Sequence, residues 1–192
     1  MQQLIRIATR QSPLALWQAN DVAAKLVASF PGVKVELVGV TTTGDRIQSR
    51  NLAEIGGKGL FIKELESTMM AGDADIAVHS MKDVPGDLPD GFVLAAICER
   101  EDPRDVVVSA TGGTLSGLAD ARRIGSYSLR RRYQVRARFP GLQYADIRGN
   151  VDTRIGKMRA GDFDAIILAA AAMKRLQMED QVAEVLTTGL CL

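Results

Sequence analysis

Cysteine, histidine and aromatic side chains are scarce in this 192-residue chain. It has two cysteines, one histidine and one tryptophan, and aromatic residues make up 5% of the total. Cys98 and Cys191 stand far apart with no ligand-like spacing, which excludes a disulfide framework and a cysteine–histidine zinc site. No run of about 18 or more apolar residues occurs, so a membrane-spanning helix is not expected. The N-terminus enters an apolar stretch at once, without an h-region or cleavage pattern, and the expectation is a soluble, cytoplasmic protein with no membrane partner. Neither charge sign dominates: 24 Lys plus Arg face 23 Asp plus Glu. A generally basic nucleic-acid binder is therefore not expected.

At 46% hydrophobic, the chain can bury a proper core and fits one or two domains. Strand patterns over 4–9, 33–40, 75–79 and 92–98 alternate with helical patterns over 13–30 and 60–70. After a charged connection at Glu99–Asp105 the alternation restarts. Strands are expected at 106–109, 123–126, 144–147 and 164–170, and helices at 129–138, 151–159, 171–176 and 180–186. Strands alternating with helices imply an α/β fold with mostly parallel sheets, and the break near residue 100 implies two lobes, 1–99 and 100–192. Trp17 and the Met69–Met70 pair are expected in the core. The long polar stretch 41–59, holding Asp45 and Lys58, reads as a mobile lid loop. Gly56-Gly57-Lys58-Gly59 has neither the spacing nor the following Ser/Thr of a phosphate loop, which excludes nucleotide binding there.

What the chain does have is arginine at strand-to-helix junctions. Arg10 precedes Gln11-Ser12-Pro13, Arg130 and Arg131 follow Ser128, and Arg148 and Arg154 bracket Asn150. From Ser128 to Arg159 there are nine Lys or Arg and two acids, Asp146 and Asp152. A helix N-terminus offers unpaired N–H groups and a partial positive charge, and a guanidinium adds a planar fork matched to carboxylate or phosphate. Several such junctions on one cleft would bind a ligand with several acidic groups. Arg132, Arg136 and Arg138 read as a solvated outer face, and His79 as structural.

The ordered stretches Arg6–Ala15, Gly56–Phe61, Asp75–Pro85, Arg100–Asp105, Ser128–Arg131, Arg148–Val151 with Thr153–Arg154, and Asp164–Ala169 resemble the porphobilinogen deaminase (hydroxymethylbilane synthase) family. The resemblance implies a transferase of porphyrin and tetrapyrrole biosynthesis that condenses four porphobilinogen molecules head to tail, releasing ammonia at each step. It implies two domains like type II periplasmic binding proteins with the active site between them. It also implies a dipyrromethane cofactor, held through a cysteine in a third, C-terminal domain. Neither Cys98 nor Cys191 lies in the attachment motif, so that cysteine is expected outside this chain. The return strand of the first domain is expected outside it too. The chain accordingly reads as a truncation whose own activity is left open.

On the same resemblance Asp83 is the catalytic carboxylate. Arg10, Ser12, Ser80, Lys82, Ser128, Arg130, Arg131, Arg148, Asn150 and Arg154 bind substrate and cofactor carboxylates. No metal is implied. Family members are typically monomeric, and an uncovered sheet edge leaves self-association open for this chain. Tyr127 stands where the family usually carries a small hydroxyl residue. A non-catalytic two-lobed organic-anion-binding domain is the alternative function, and it would share the fold.

Overall fold

A computed structural model describes residues 3–46, 62–118 and 120–191, and divides the chain into two compact units, Met1–Cys98 and Glu99–Leu192. In the first, β1 (Gln3–Arg10) leads through Ser12 into α1 (Pro13–Ser29). Ser12 has extended backbone and its hydroxyl accepts a hydrogen bond from Ala15 N, while Pro13 sits where its missing N–H costs nothing. β2 (Val33–Val40) then runs parallel to β1, from Gln3 opposite Val33 to Arg10 opposite Val40. A single turn, α2 (Thr43–Arg46), and α3 (Lys63–Met70) follow, then a two-residue strand, β3 (Ile76–Ala77), parallel to β1 on its other side. The sheet order is β2-β1-β3, so every strand ends at the same edge.

Among the described residues, Ala8, Leu65 and Ala74 form a buried cluster of this unit, with Val38, Val40, Met69 and Ala77 against them. Two expectations fail here. Trp17 is 37% exposed and Met70 72% exposed, because α1 turns Ala19 inward and α3 turns Leu65 inward. The apolar run 92–98 forms no strand, and Val93, Leu94 and Ile97 are exposed; the strand expected there has no described strand to pair with. The lid stretch falls largely outside the described residues, including Lys58 and the Asp45 side chain.

The second unit holds β4 (Asp105–Ser109), β5 (Arg123–Gly125), α4 (Leu129–Arg138), β6 (Gln143–Ala145), α5 (Val151–Arg159), β7 (Ala165–Ala169), α6 (Ala170–Arg175) and β8 (Glu184–Val185). Its sheet order is β6-β5-β7-β4-β8. β5 runs parallel to β6 and β7, whereas β4 is antiparallel to β7 and to β8. The helix expected over 180–186 is instead one 3-10 turn followed by β8. Ala183 N and Leu186 N donate to Val107 O and Asp105 O, pairing the otherwise open β4 edge.

Residues 165–168 are buried, as a central strand covered on both faces requires. One face carries Ile166 and Leu168 with Ile155 and Met158 of α5; the other carries Ile167 and Ala165 with Val135 of α4 and Leu186. Gly125 lets this packing close, since a Cβ there would lie 2.9 Å from Phe163 and 3.0 Å from Ile166. Because β4 is reversed, its first residue, Asp105, lies opposite Ala169, at the edge where β5, β6 and β7 end. That edge is where ligands bind on such sheets.

Candidate functional site

In the first unit the parallel strands deliver Arg10 and Ser12 to one edge, together with the segment after β3. Ser80 there donates from its hydroxyl to Gln18 Oε1 at 3.1 Å. Lys82 and Asp83 are exposed in a single 3-10 turn, Met81–Asp83, whose Asp83 N donates to Ser80 O at 2.9 Å. Burial pushes the His79 imidazole below its ordinary 6.5; the Asp83 charge opposes this and the Arg10 charge adds to it. His79 thus feels both the Arg10 and the Asp83 charges at this edge.

In the second unit Ser128 caps α4, accepting from Arg131 N, so Arg130 and Arg131 leave the first turn of the helix. Both guanidinium groups meet Asp105. Arg130 Nη2 lies 2.7 Å from Oδ2, and Arg131 reaches Oδ1 through Nη2 at 2.6 Å and Nε at 2.9 Å. The Asp105 side chain is 2% exposed, that of Arg131 11%, and that of Arg130 42%. Burial alone would raise the Asp105 carboxyl; Arg131, then Arg130 and the Cys191 thiol, hold it below its ordinary 3.8. The buried Cys191 Sγ donates to Asp105 Oδ2 at 3.2 Å, and burial followed by that carboxylate pushes the thiol up to about 11. Arg131 is thus committed inward, whereas Arg130 keeps a solvent-facing side.

Arg148 and Arg154 belong to the β6–α5 junction. The Arg148 guanidinium lies 4.1 Å from the centroid of the Tyr127 ring and donates to the Tyr127 hydroxyl. Arg154 Nε donates to Gly149 O at 2.8 Å. Its pKa is lowered first by burial and then by the charges of Arg131 and Arg148. Among the described residues no carboxylate is paired with Arg154. Asn150 occupies the α5 N-cap position, but its exposed side chain makes no capping hydrogen bond. Ser126 Oγ, at the end of β5, is buried without a hydrogen-bond partner among the described residues.

The named residues of unit 2 thus lie at one edge of its own sheet, and the described ones of unit 1 at one edge of theirs. The role of Asp105 is not evident from its place in the Arg100–Asp105 stretch. Its two arginine partners lie 25 and 26 positions away, and only the reversal of β4 joins them.

Such a chain is a two-unit α/β protein with mostly parallel sheets. It resembles the probable amino-acid transporter extracellular-binding protein ytmK of Bacillus subtilis, with TM-score 0.55 and 13% identity over 100% of this chain and 80% of the other. It likewise resembles the Bordetella pertussis BvgS VFT2 domain, with TM-score 0.50 and 15% identity over 95% of this chain and 75% of the other. At these identities the likeness establishes fold alone. Sequence goes further. The family model described as "Porphobilinogen deaminase, dipyromethane cofactor binding domain" matches residues 5–192, and the chain belongs to that family. A porphobilinogen deaminase of Laribacter hongkongensis is 53% identical over 98% of this chain and 61% of its own length. One of Chromobacterium violaceum is 56% identical over 93% of this chain and 58% of its own length. The chain spans about three-fifths of these relatives. No helix among the described residues is long and apolar enough to cross a membrane.

Proposed function

We propose that this chain serves a porphobilinogen deaminase, the transferase that condenses four porphobilinogen molecules to hydroxymethylbilane, and that its arginine-bearing edges bind pyrrole carboxylates. Arg154 carries this reading. A half-buried guanidinium pressed by two other arginines, with no carboxylate partner among the described residues, is stabilised by an anionic ligand. Asp105 is engaged by Arg130 and Arg131 instead. Porphobilinogen brings an acetate and a propionate, and the growing product brings more.

The same excess of positive charge fits dipyrromethane, whose carboxylates Arg148, Arg154, the outer side of Arg130, Ser128 and Asn150 would hold. When bound, that group supplies the acceptor pyrrole. The chain's own residues orient the acids and place a carboxylate near the reacting ring. Loss of ammonia from the aminomethyl group leaves a delocalised cation; the next pyrrole carbon forms the new C–C bond and then loses its proton. Asp83 is the group proposed to stabilise that cation and assist the proton. Its exposure within one tight turn leaves the carboxylate accessible to a ligand.

Calorimetric titration of the chain with porphobilinogen tests the reading, with ammonia measured in parallel. Binding that Arg154→Gln weakens about 10- to 100-fold is expected, because a hydrogen bond to a charged group is worth roughly 1.5–3 kcal/mol. Equal affinity in both proteins would refute it. Binding without ammonia release would favour a non-catalytic organic-anion-binding role for the chain by itself.

A further inference from the structure

Cys191 is buried in the core of unit 2, among Val107, Val135, Ile167 and Leu186. The turn over 187–191 delivers it there, with Cys191 N donating to Thr187 O at 3.0 Å. A buried thiol is usually a small apolar filler. This one ends among polar groups instead. Its Sγ lies 3.2 Å from Asp105 Oδ2, 3.5 Å from Arg130 Nη1 and 3.6 Å from Gln134 Oε1. We propose that Cys191 and Gln134 are positioning residues: with Asp105 they set the rotation of Arg130, so that one edge of its guanidinium faces a ligand carboxylate. The proposal rests on the carboxylate-binding reading above and deepens it.

A thiol has a single proton to give and a sulfur that can also accept. The charged Asp105 oxygen is the nearer acceptor and takes that proton, which leaves the sulfur lone pairs for Arg130 Nη1. The other Nη1 hydrogen goes to Gln134 Oε1 at 3.1 Å, one helical turn along α4. Nη2 donates to Asp105 Oδ2 at 2.7 Å. Sγ and Oδ2 are neighbours, so they meet the Nη1–Nη2 edge as a pair. The Nε–H and the second Nη2 hydrogen remain, and among the described residues no partner meets them. They lie side by side on the next edge of the plane, as a fork that matches a carboxylate. With the Arg130 side chain 42% exposed, that edge is open to a ligand. Asp105 alone does not fix the heading, because it takes only Nη2 from Arg130 and is shared with Arg131. A single contact lets the plane swing about it. The thiol and the amide oxygen on Nη1 stop that swing, which lowers the cost of ordering the cation when a ligand arrives.

Porphobilinogen titrations compare wild type, Cys191→Ala, Cys191→Ser, Gln134→Leu and Arg130→Gln, with Cys191→Ala and Gln134→Leu repeated in the Arg130→Gln background. Cys191→Ala and Gln134→Leu are each expected to weaken binding about two- to tenfold, the span of one net hydrogen bond. The hydroxyl of Cys191→Ser donates to the carboxylate and accepts from the guanidinium, so its affinity should stay within about threefold of wild type. In the Arg130→Gln background neither change should weaken binding further, because both act only through Arg130. A loss of the same size in that background, or wild-type affinity in both Cys191→Ala and Gln134→Leu, would overturn the proposal. Gln134 is exposed, so its variant decides the matter if Cys191→Ala fails to fold. The Arg130 Nε–H NMR signal reads the orientation without ligand. Slowed guanidinium rotation is expected in wild type and Cys191→Ser, and faster rotation in Cys191→Ala and Gln134→Leu. If wild type binds no porphobilinogen, the functional reading fails and this signal alone decides. Equal rotation in wild type, Cys191→Ala and Gln134→Leu would then overturn the inference too.

Discussion

Replacing Asp105 by leucine tests the organisation of the unit 2 edge through its stability. The substitution removes a carboxylate that is 2% exposed and accepts from Arg130, Arg131 and Cys191. Arg130, 42% exposed, can turn to water at little cost. Arg131, 11% exposed, cannot, and stays beside Arg154 with its charge uncompensated. Stranding one buried partner costs roughly 3–5 kcal/mol. Counting Arg131 alone puts the loss at about 3 kcal/mol, which for a unit of this size corresponds to roughly 12–24 °C in melting temperature. The assay has a built-in assignment: all three tyrosines, Tyr127, Tyr133 and Tyr144, lie in unit 2, and the single tryptophan, Trp17, lies in unit 1. Near-ultraviolet tyrosine dichroism should report the large shift, with Trp17 fluorescence moving less. The acid limb gives a second reading. Because the folded Asp105 carboxyl sits below its ordinary 3.8, its contribution is present above that pH and is lost as pH falls through the lower folded value. The variant should therefore show a shallower stability loss below about pH 4. A tyrosine-reported shift under about 4 °C would refute the claim that Asp105 anchors the arginines.

Asp83→Asn should leave porphobilinogen affinity within a few fold but reduce ammonia release about 100-fold or more in any preparation that turns over, as expected for a proton-handling carboxylate; unchanged release would remove Asp83 from the chemistry. Gly125→Ala should destabilise unit 2 by about 1–3 kcal/mol in urea unfolding, since the added methyl meets Phe163, Ile166 and Ile147 within 3.1 Å. A neutral result there would mean that the two packed faces can spread apart.

Much of unit 2 is legible from residues close in sequence. Ser128 before Leu129-Arg130-Arg131 announces a capped helix with arginines on its first turn, and α4 and α5 begin and end where periodicity and caps place them. The apolar run at 164–170 likewise announces a buried strand. What escapes depends on partners distant in the chain. The capture of Arg130 and Arg131 by Asp105, and β8 in place of a helix, both follow from the reversed β4, which no local pattern encodes. In unit 1 the apolar run at 92–98 signals a strand, but a strand exists only where another offers hydrogen bonds. The apolar side chain of Trp17 suggests a core position, whereas α1 buries Ala19.

The account turns on which arginines receive the ligand acids, and a porphobilinogen titration of the arginine Nε–H NMR signals reads that directly. Arg154 and Arg148 are predicted to shift in step with binding, Arg130 to follow on its exposed side, and Arg104 and Arg122, engaged with Asp102 and Asp164, to stay put. Saturable shifts confined to Arg104, Arg122 or the outer α4 arginines, with Arg148 and Arg154 unmoved, would contradict it.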